Sequence, residues 1–190
     1  MASTQTLSDS DRRELARWAA ECAERVLPLF DGDATARRVL EDALERTRAY
    51  HRGESSAKDE IRRRFEAVRA AKSAVSQAGA AAAQSVAQAS AVAHMGAHAL
   101  GAAAYAVKAI SLVHSGAGDA EVKDRTDHEI EWQLSILSEQ EKIALKLLPK
   151  LGTDSSGPLG NGLLSQGVLG ATIREIQERI KRKDFASNSH

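Results

Sequence analysis

Residues Ala80 to Val113 read AAAAQSVAQASAVAHMGAHALGAAAYAVKAISLV, and nearly half of them are alanine. Alanine is the best helix former, so the stretch predicts one long helix. A surface of alanine side chains lets neighbouring helices approach to the short end of the usual axis separation of about 8–10 Å. We therefore expect this helix to lie at the centre of a compact multi-helix bundle.

Three helices are predicted before this central helix. Ser8 can cap the first, which ends at Pro28, and the second extends from about Thr35 to His51. The third begins after Ser56 and ends near Gly79. Their apolar residues recur with helical spacing. They are Leu15, Trp18, Ala19, Cys22 and Val26 in the first, Val39, Leu40, Ala43, Leu44 and Thr47 in the second, and Ile61, Phe65, Val68 and Val75 in the third.

A further helix is predicted between Gly118 and Pro149. Thr126 and Glu129 within it have the spacing of a capping box. Nowhere in the chain do β-branched residues alternate with polar ones, as they do in a half-buried strand. The predicted fold class is therefore all-α.

The sequence changes character after this helix. The run PKLGTDSSGPLGNGLLSQG, at 149–167, is rich in Gly, Ser and Pro and predicts a flexible loop. We expect a helical domain at 1–150, a flexible loop at 151–167, and an amphipathic helix and tail at 168–190. The sequence leaves open whether this last helix docks on the bundle or on another molecule. Its apolar residues are Leu169, Ile173, Ile176 and Ile180.

The composition of the chain excludes several classes of function. Its 190 residues include 26 basic and 26 acidic side chains, so the formal net charge is zero. Nucleic-acid binding needs a surplus of Lys and Arg, and a membrane span needs about 18 consecutive apolar residues. The single cysteine, Cys22, cannot form an intramolecular disulfide, and the first residues do not have the pattern of a signal peptide. We expect a cytoplasmic protein that contacts neither nucleic acid nor membrane.

Two histidines are the first candidates for chemistry. On one helix, His94 and His98 would point to the same side, and Tyr105 and Lys108 continue that stripe. Imidazole is a common metal ligand, but no third ligand follows at a recognisable spacing. A hydrogen-bonded pair in the core or in a groove is the simpler interpretation. We therefore predict no catalytic residue, no cofactor and no metal, with His94 and His98 as the ligands if a metal is bound.

Other polar groups have structural explanations. The basic triplet from Arg62 to Arg64 is flanked by Glu60 and Glu66, which is typical of a solvated helix face. Cys22 lies on the apolar face of the first helix, where a small core residue is expected.

Three stretches together resemble a known family. They are LARWAAECAERVLPLF at 15–30, AHMGAHALGAAAYAVKA at 93–109 and EWQL at 131–134. The set resembles the immunity proteins of bacterial polymorphic-toxin systems, in the group called immunity-five-like, over roughly Leu7 to Leu148. The chain departs from the family at Tyr50, where a tryptophan is usual, and at Ala34 to Arg37, where an Arg-Pro-Arg turn is expected.

The resemblance implies a compact helical protein that binds a cognate toxin and blocks it, with no catalytic activity. Binding would then depend on a few anchors among the exposed residues, aromatic ones above all. Two alternatives stay open: a metal-binding bundle or enzyme built on the histidine pair, and a self-associating scaffold that forms a homo-oligomer. The candidate partner-binding residues are His94, His98, Tyr105, Lys108, Tyr50 and Trp132.

Overall fold

The computed structural model describes residues 3–187, with side chains as far as residue 182. Within this part of the chain there are helices and no strands, which confirms the all-α class. The helices are α1 (Asp9–Val26), α2 (Ala34–His51), α3 (Ala57–Arg63), α4 (Glu66–Ala70), α5 (Gln77–Ser90), α6 (His98–Val113), α7 (Asp119–Ser135), α8 (Glu139–Lys146) and α9 (Gly167–Ser187).

The structure confirms the first two predicted helices. The Ser8 hydroxyl accepts a hydrogen bond from the Asp11 amide at 3.0 Å and caps α1, whose predicted apolar face is buried. Asp33 caps α2 through the Ala36 amide at 2.9 Å. Val39 is half-buried, and the other predicted apolar residues of α2 are buried.

The alanine-rich segment forms two helices, so the prediction of one central helix is wrong. α5 and α6 pack against each other as a hairpin, with residues 91–97 as the turn. The amides of Gly96 and Ala97 in this turn donate to the carbonyl oxygens of Thr6 and Gln5 at 3.0 and 3.1 Å. Glycine has a low helix propensity, but it occurs both in the turn, as Gly96, and inside α6, as Gly101, so propensity alone does not fix the position of the turn. The contacts with the distant N-terminal residues distinguish the two glycines.

The α5–α6 hairpin and α1 form the centre of the core. The Ser85 hydroxyl of α5 donates to the Ala102 carbonyl of α6 at 2.7 Å, which shows how closely the two helices approach. Trp18 of α1 is the largest fully buried side chain, and its indole N–H donates to the Gln133 carbonyl of α7 at 2.8 Å. The alanine methyl groups allow this close packing, as the sequence predicts.

The predicted third helix is divided and only partly buried. Phe65 lies between α3 and α4 and is 52% exposed, and Val75 lies after α4 and is 85% exposed. The prediction of one helix that carries both residues on its apolar stripe is wrong, because α3 ends at Arg63 and α4 ends at Ala70. Gly79 does not end a helix but lies inside α5, where the Asp31 carboxylate occupies the space of a Cβ.

The helix predicted before Pro149 is also two helices. Ser138 and Glu141 form a capping box at the start of α8, each accepting a hydrogen bond from the backbone of the other. The predicted capping box at Thr126 and Glu129 is wrong. Thr126 lies inside α7 and donates to the helix backbone, and Glu129 forms an ion pair with α1 instead.

The C-terminal helix α9 docks on the bundle, chiefly on α6, and its four predicted apolar residues are buried. The preceding loop is irregular but tied to the N-terminal segment. The Gln5 side chain donates to Asp154 at 2.7 Å and accepts from the Leu159 amide at 2.9 Å. The flexibility of the loop and the domain boundaries at 150 and 167 stay predictions. Within residues 3–187, no helix is long and apolar enough to cross a membrane.

Candidate functional site

Two of the predicted contact residues lie inside the protein. Tyr50, at the end of α2, donates its hydroxyl hydrogen to Asp9 at 2.8 Å, and the Arg13 guanidinium lies 4.4 Å from its ring centre. Burial and the Asp9 carboxylate raise the pKa of the Tyr50 hydroxyl. Tyr105 is buried in α6, and burial raises the pKa of its hydroxyl too. Neither ring is presented to solvent in this structure.

Two other predicted contact residues are half-buried. Trp132 in α7 lies 4.2 Å below the guanidinium of Arg25, which forms an ion pair with Glu129 at 2.7 Å. The Lys108 ammonium lies 5.9 Å from the Tyr105 ring centre. Neither Trp132 nor Lys108 lines the groove that contains the two histidines.

The two histidines lie together at the α5–α6 turn. His94 is exposed in the turn, His98 is the half-buried first residue of α6, and their ring centres are 6.3 Å apart. His98 Nδ1 forms a hydrogen bond with Gln88 Oε1 at 2.8 Å. Burial, and next the positive charge of His94, lower the pKa of His98 to about 4. Burial, and next Arg64 and Arg12, lower the pKa of His94, so both rings are neutral at pH 7.

These rings form one end of a surface groove of about 340 Å³, which we call the histidine groove. It lies between the α3–α4 junction and the α5–α6 hairpin. Half of its lining residues are apolar, and the other half have nitrogen-bearing side chains. The lining residues are Arg64, Phe65, Val68, Ala87, Gln88, Ala91, His94 and His98.

Arg64 and Phe65, at the junction of α3 and α4, line the groove together with the histidines. The Arg64 guanidinium lies 4.4 Å from the Phe65 ring centre, and its Nη1 donates to the Ile61 carbonyl at 2.7 Å. Arg62 and Arg63 form ion pairs with carboxylates, but no carboxylate among the described residues lies within ion-pair distance of Arg64. A guanidinium stacked on an aromatic ring without an acidic partner is available to a ligand.

The sequence does not predict this part of the groove. The acidic neighbours of the arginine triplet predict a solvated helix face for Arg64, and the spacing of Phe65 places it on the apolar stripe of one continuous third helix. The bend between α3 and α4 removes Phe65 from the core and brings it beside Arg64. An aromatic residue directly after three arginines was the one available signal.

The absence of a side chain at Gly101 leaves space for the hydrogen bond between Gln88 and His98. A Cβ at Gly101 would collide with Gln88 Oε1, the atom that holds the His98 ring. The glycine therefore lets α5 supply a side-chain amide between the two helices. The sequence analysis missed Gln88 and Gly101, because their contact exists only when the alanine-rich segment folds back on itself.

The described residues do not supply the third ligand that the metal hypothesis requires. Among them, no group of three or more His, Cys, Asp or Glu side chains is placed to hold a metal ion. Cys22 is buried in α1, and burial, followed by the charges of Glu129 and Glu141, raises the pKa of its thiol well above the usual value. Burial therefore disfavours the thiolate that nucleophilic chemistry would need.

A second groove of about 350 Å³ lies between α6, α7 and α9. Its charged side chains neutralise one another, because Lys123 pairs with Asp127 and Arg179 pairs with Glu175. The histidine groove differs in holding a cation without an acidic partner. We therefore take the histidine groove as the candidate site.

Comparison with known proteins identifies one family. The family model described as Imm-5 like putative immunity protein matches residues 5–140, which include α1 to α7 and all residues of the histidine groove. No curated protein and no solved structure matches the chain. The match covers well over half of the 190 residues. The chain belongs to the family described as Imm-5 like putative immunity protein.

Proposed function

We propose that this protein is a non-enzymatic immunity protein that binds a cognate toxin in the cytoplasm and neutralises it. The family match over residues 5–140 is the observation that supports the proposal most directly. Such a protein works by occupying the toxin's active site or an adjacent surface. Its affinity would depend on a few well-packed anchors more than on the total contact area.

The histidine groove is the surface we assign to the toxin. Arginine and aromatic side chains are enriched among the residues that dominate binding energy, and the groove presents Arg64 and Phe65 side by side. His94 is exposed next to them and can contribute a polar contact. Of the residues predicted from the sequence, His94 and His98 belong to this surface.

Co-expression with toxins encoded at the same locus tests the proposed function. Each toxin is produced in a bacterial host with and without this protein, and growth and co-purification are measured. We expect growth to be restored with one toxin, together with a complex that survives purification. Absence of both effects with every toxin of the locus contradicts the proposed function.

Two variants of the protein test the proposed surface. Phe65→Ala removes an anchor of the groove, and we expect it to weaken the complex about tenfold or more. Leu163→Ala is the matched control, because Leu163 is an exposed apolar residue in the loop before α9. If both variants bind the toxin as tightly as the unmodified protein, the contact surface lies elsewhere.

A further inference from the structure

The charge of the histidine groove has one sign. Its described lining includes the permanently charged Arg64, two histidines whose neutral rings can take up a proton, and no acidic side chain. The guanidinium of Arg12 also acts on His94. Because Arg64 has no carboxylate partner among the described residues, its charge is not neutralised within the molecule. A ligand with negative charge is therefore complementary to this groove.

The rest of the groove is apolar. Phe65 is an exposed aromatic residue of the lining, and Val68, Ala87 and Ala91 also line the groove. Its volume of about 340 Å³ is at the lower end of the range of about 300–1,000 Å³ for ligand pockets. This is room for one or two side chains of a partner but not for a whole helix. An occupant must therefore combine a negative charge with an adjacent apolar group.

The stacking of Arg64 favours a carboxylate as the charged group. The Phe65 ring and the hydrogen bond to the Ile61 carbonyl hold the guanidinium plane. A guanidinium fixed in this way can donate two parallel hydrogen bonds to the two oxygens of a carboxylate. A dianionic phosphate fits less well, because Arg64 is the only permanently charged group in the lining and much of the groove is apolar.

We propose that the histidine groove binds an acidic segment of the partner protein, with a carboxylate on Arg64 and a neighbouring aromatic or aliphatic side chain on Phe65. This inference rests on the proposed function only in taking that partner to be the toxin. The carboxylate would also lie near His94, which lines the same groove and is affected by the charge of Arg64.

A blocked dipeptide tests the groove without the toxin. Acetyl-Asp-Phe-amide and its neutral counterpart acetyl-Asn-Phe-amide are titrated into the protein, and the imidazole NMR signals of His94 and His98 are followed. We expect weak binding of the Asp peptide, with a Kd of about 1–10 mM, and about tenfold weaker binding of the Asn peptide. The pKa of His94 should rise when the Asp peptide is bound, because the negative charge of the bound carboxylate favours the charged imidazole.

Two variants and one competing anion sharpen this test. Arg64→Gln should weaken binding of the Asp peptide about tenfold, and Arg38→Gln should leave it unchanged. Arg38 is the matched control because it is exposed on α2, hydrogen-bonded to Thr35 and outside the groove. Equal binding of the two peptides would overturn the proposal. Displacement of the Asp peptide by millimolar inorganic phosphate would overturn it in favour of a phosphate site.

The toxin complex provides a second and separate test. Arg64→Glu should lower affinity at least about tenfold, and replacing one acidic residue of the toxin with lysine should restore it. A toxin that binds Arg64→Glu as tightly as the unmodified protein contradicts the inference and leaves the proposed function intact. If no toxin of the locus binds, the proposed function fails, and the dipeptide titration still decides the chemistry of the groove.

Discussion

Replacing Glu141 with alanine should destabilise the protein more than any other single change of a charged residue on α8. Glu141 is fully buried and accepts hydrogen bonds from Arg17 of α1 at 2.7 and 2.5 Å. It also accepts the Ser138 amide at 2.7 Å and so completes the capping box of α8. One side chain therefore joins two helices and caps one of them.

The size of the effect follows from these two roles. Breaking a buried ion pair on one side costs about 3–5 kcal/mol. Loss of the hydrogen bond from the Ser138 amide costs about 1 kcal/mol, while the Ser138 hydroxyl still caps the helix through the amide of residue 141. The Arg17 side chain is 33% exposed, so water can partly solvate the guanidinium that is left behind. We therefore expect a loss of about 3 kcal/mol in the free energy of unfolding, which for a chain of this length lowers Tm by about 6–12 °C.

Urea denaturation followed by circular dichroism measures this loss. The matched control is Glu139→Ala on the same helix, because the Glu139 side chain is 76% exposed and its ion pair is with Lys142. That control should lie within about 0.5 kcal/mol of the unmodified protein. In an Arg17→Ala background, Glu141→Ala should cost less, by a coupling energy of about 0.5–3 kcal/mol. A Glu141→Ala variant as stable as Glu139→Ala would show that the buried ion pair does not stabilise the protein.

Two further predictions concern pH and the C-terminal helix. In the unfolded chain His98 takes up a proton below its ordinary pKa of 6.5, but in the native protein it does so only near pH 4. The free energy of unfolding should therefore fall by up to about 3 kcal/mol as the pH is lowered from 6.5 to 4. His98→Gln should show a smaller fall in urea denaturation across this range, and parallel curves for the two proteins would contradict the assignment. Ile176→Ala should cost about 2–5 kcal/mol, because Ile176 is fully buried between α9 and the bundle. The loss of stability is measured by thermal unfolding of each variant. Val168→Ala, at an exposed position of the same helix, should cost less than about 1 kcal/mol. An Ile176→Ala loss as small as that of Val168→Ala would mean that the packing of α9 on the bundle does not stabilise the protein.

The spacing of apolar residues and the capping residues predict those helices, such as α1 and α9, in which one continuous helix carries the whole apolar stripe. The stripe of α1, the Ser8 cap and the apolar residues of α9 all follow the prediction. These features are local, because a residue and its neighbours three and four positions away lie on the same helix face. The three stretches that resemble the family were equally visible in the sequence, and the match over 5–140 confirms the family.

The candidate site was only partly predictable. His94 and His98 were singled out from their spacing, and the structure brings their rings together. Arg64, Phe65 and Gln88 were missed, because each reaches the groove through a bend or a turn that no periodic pattern records.

The all-α class and the buried stripes of α1 and α9 can be predicted from local sequence, because helix propensity and side-chain spacing act over a few residues. The place where the alanine-rich segment turns depends on tertiary contacts, since the amides of Gly96 and Ala97 bond to Thr6 and Gln5, about 90 residues earlier in the chain. That turn brings the two histidines into one groove with Arg64 and Phe65. The histidine groove is therefore a product of long-range packing, because glycine occurs both in the turn, at Gly96, and inside α6, at Gly101, and so does not by itself specify where the chain reverses.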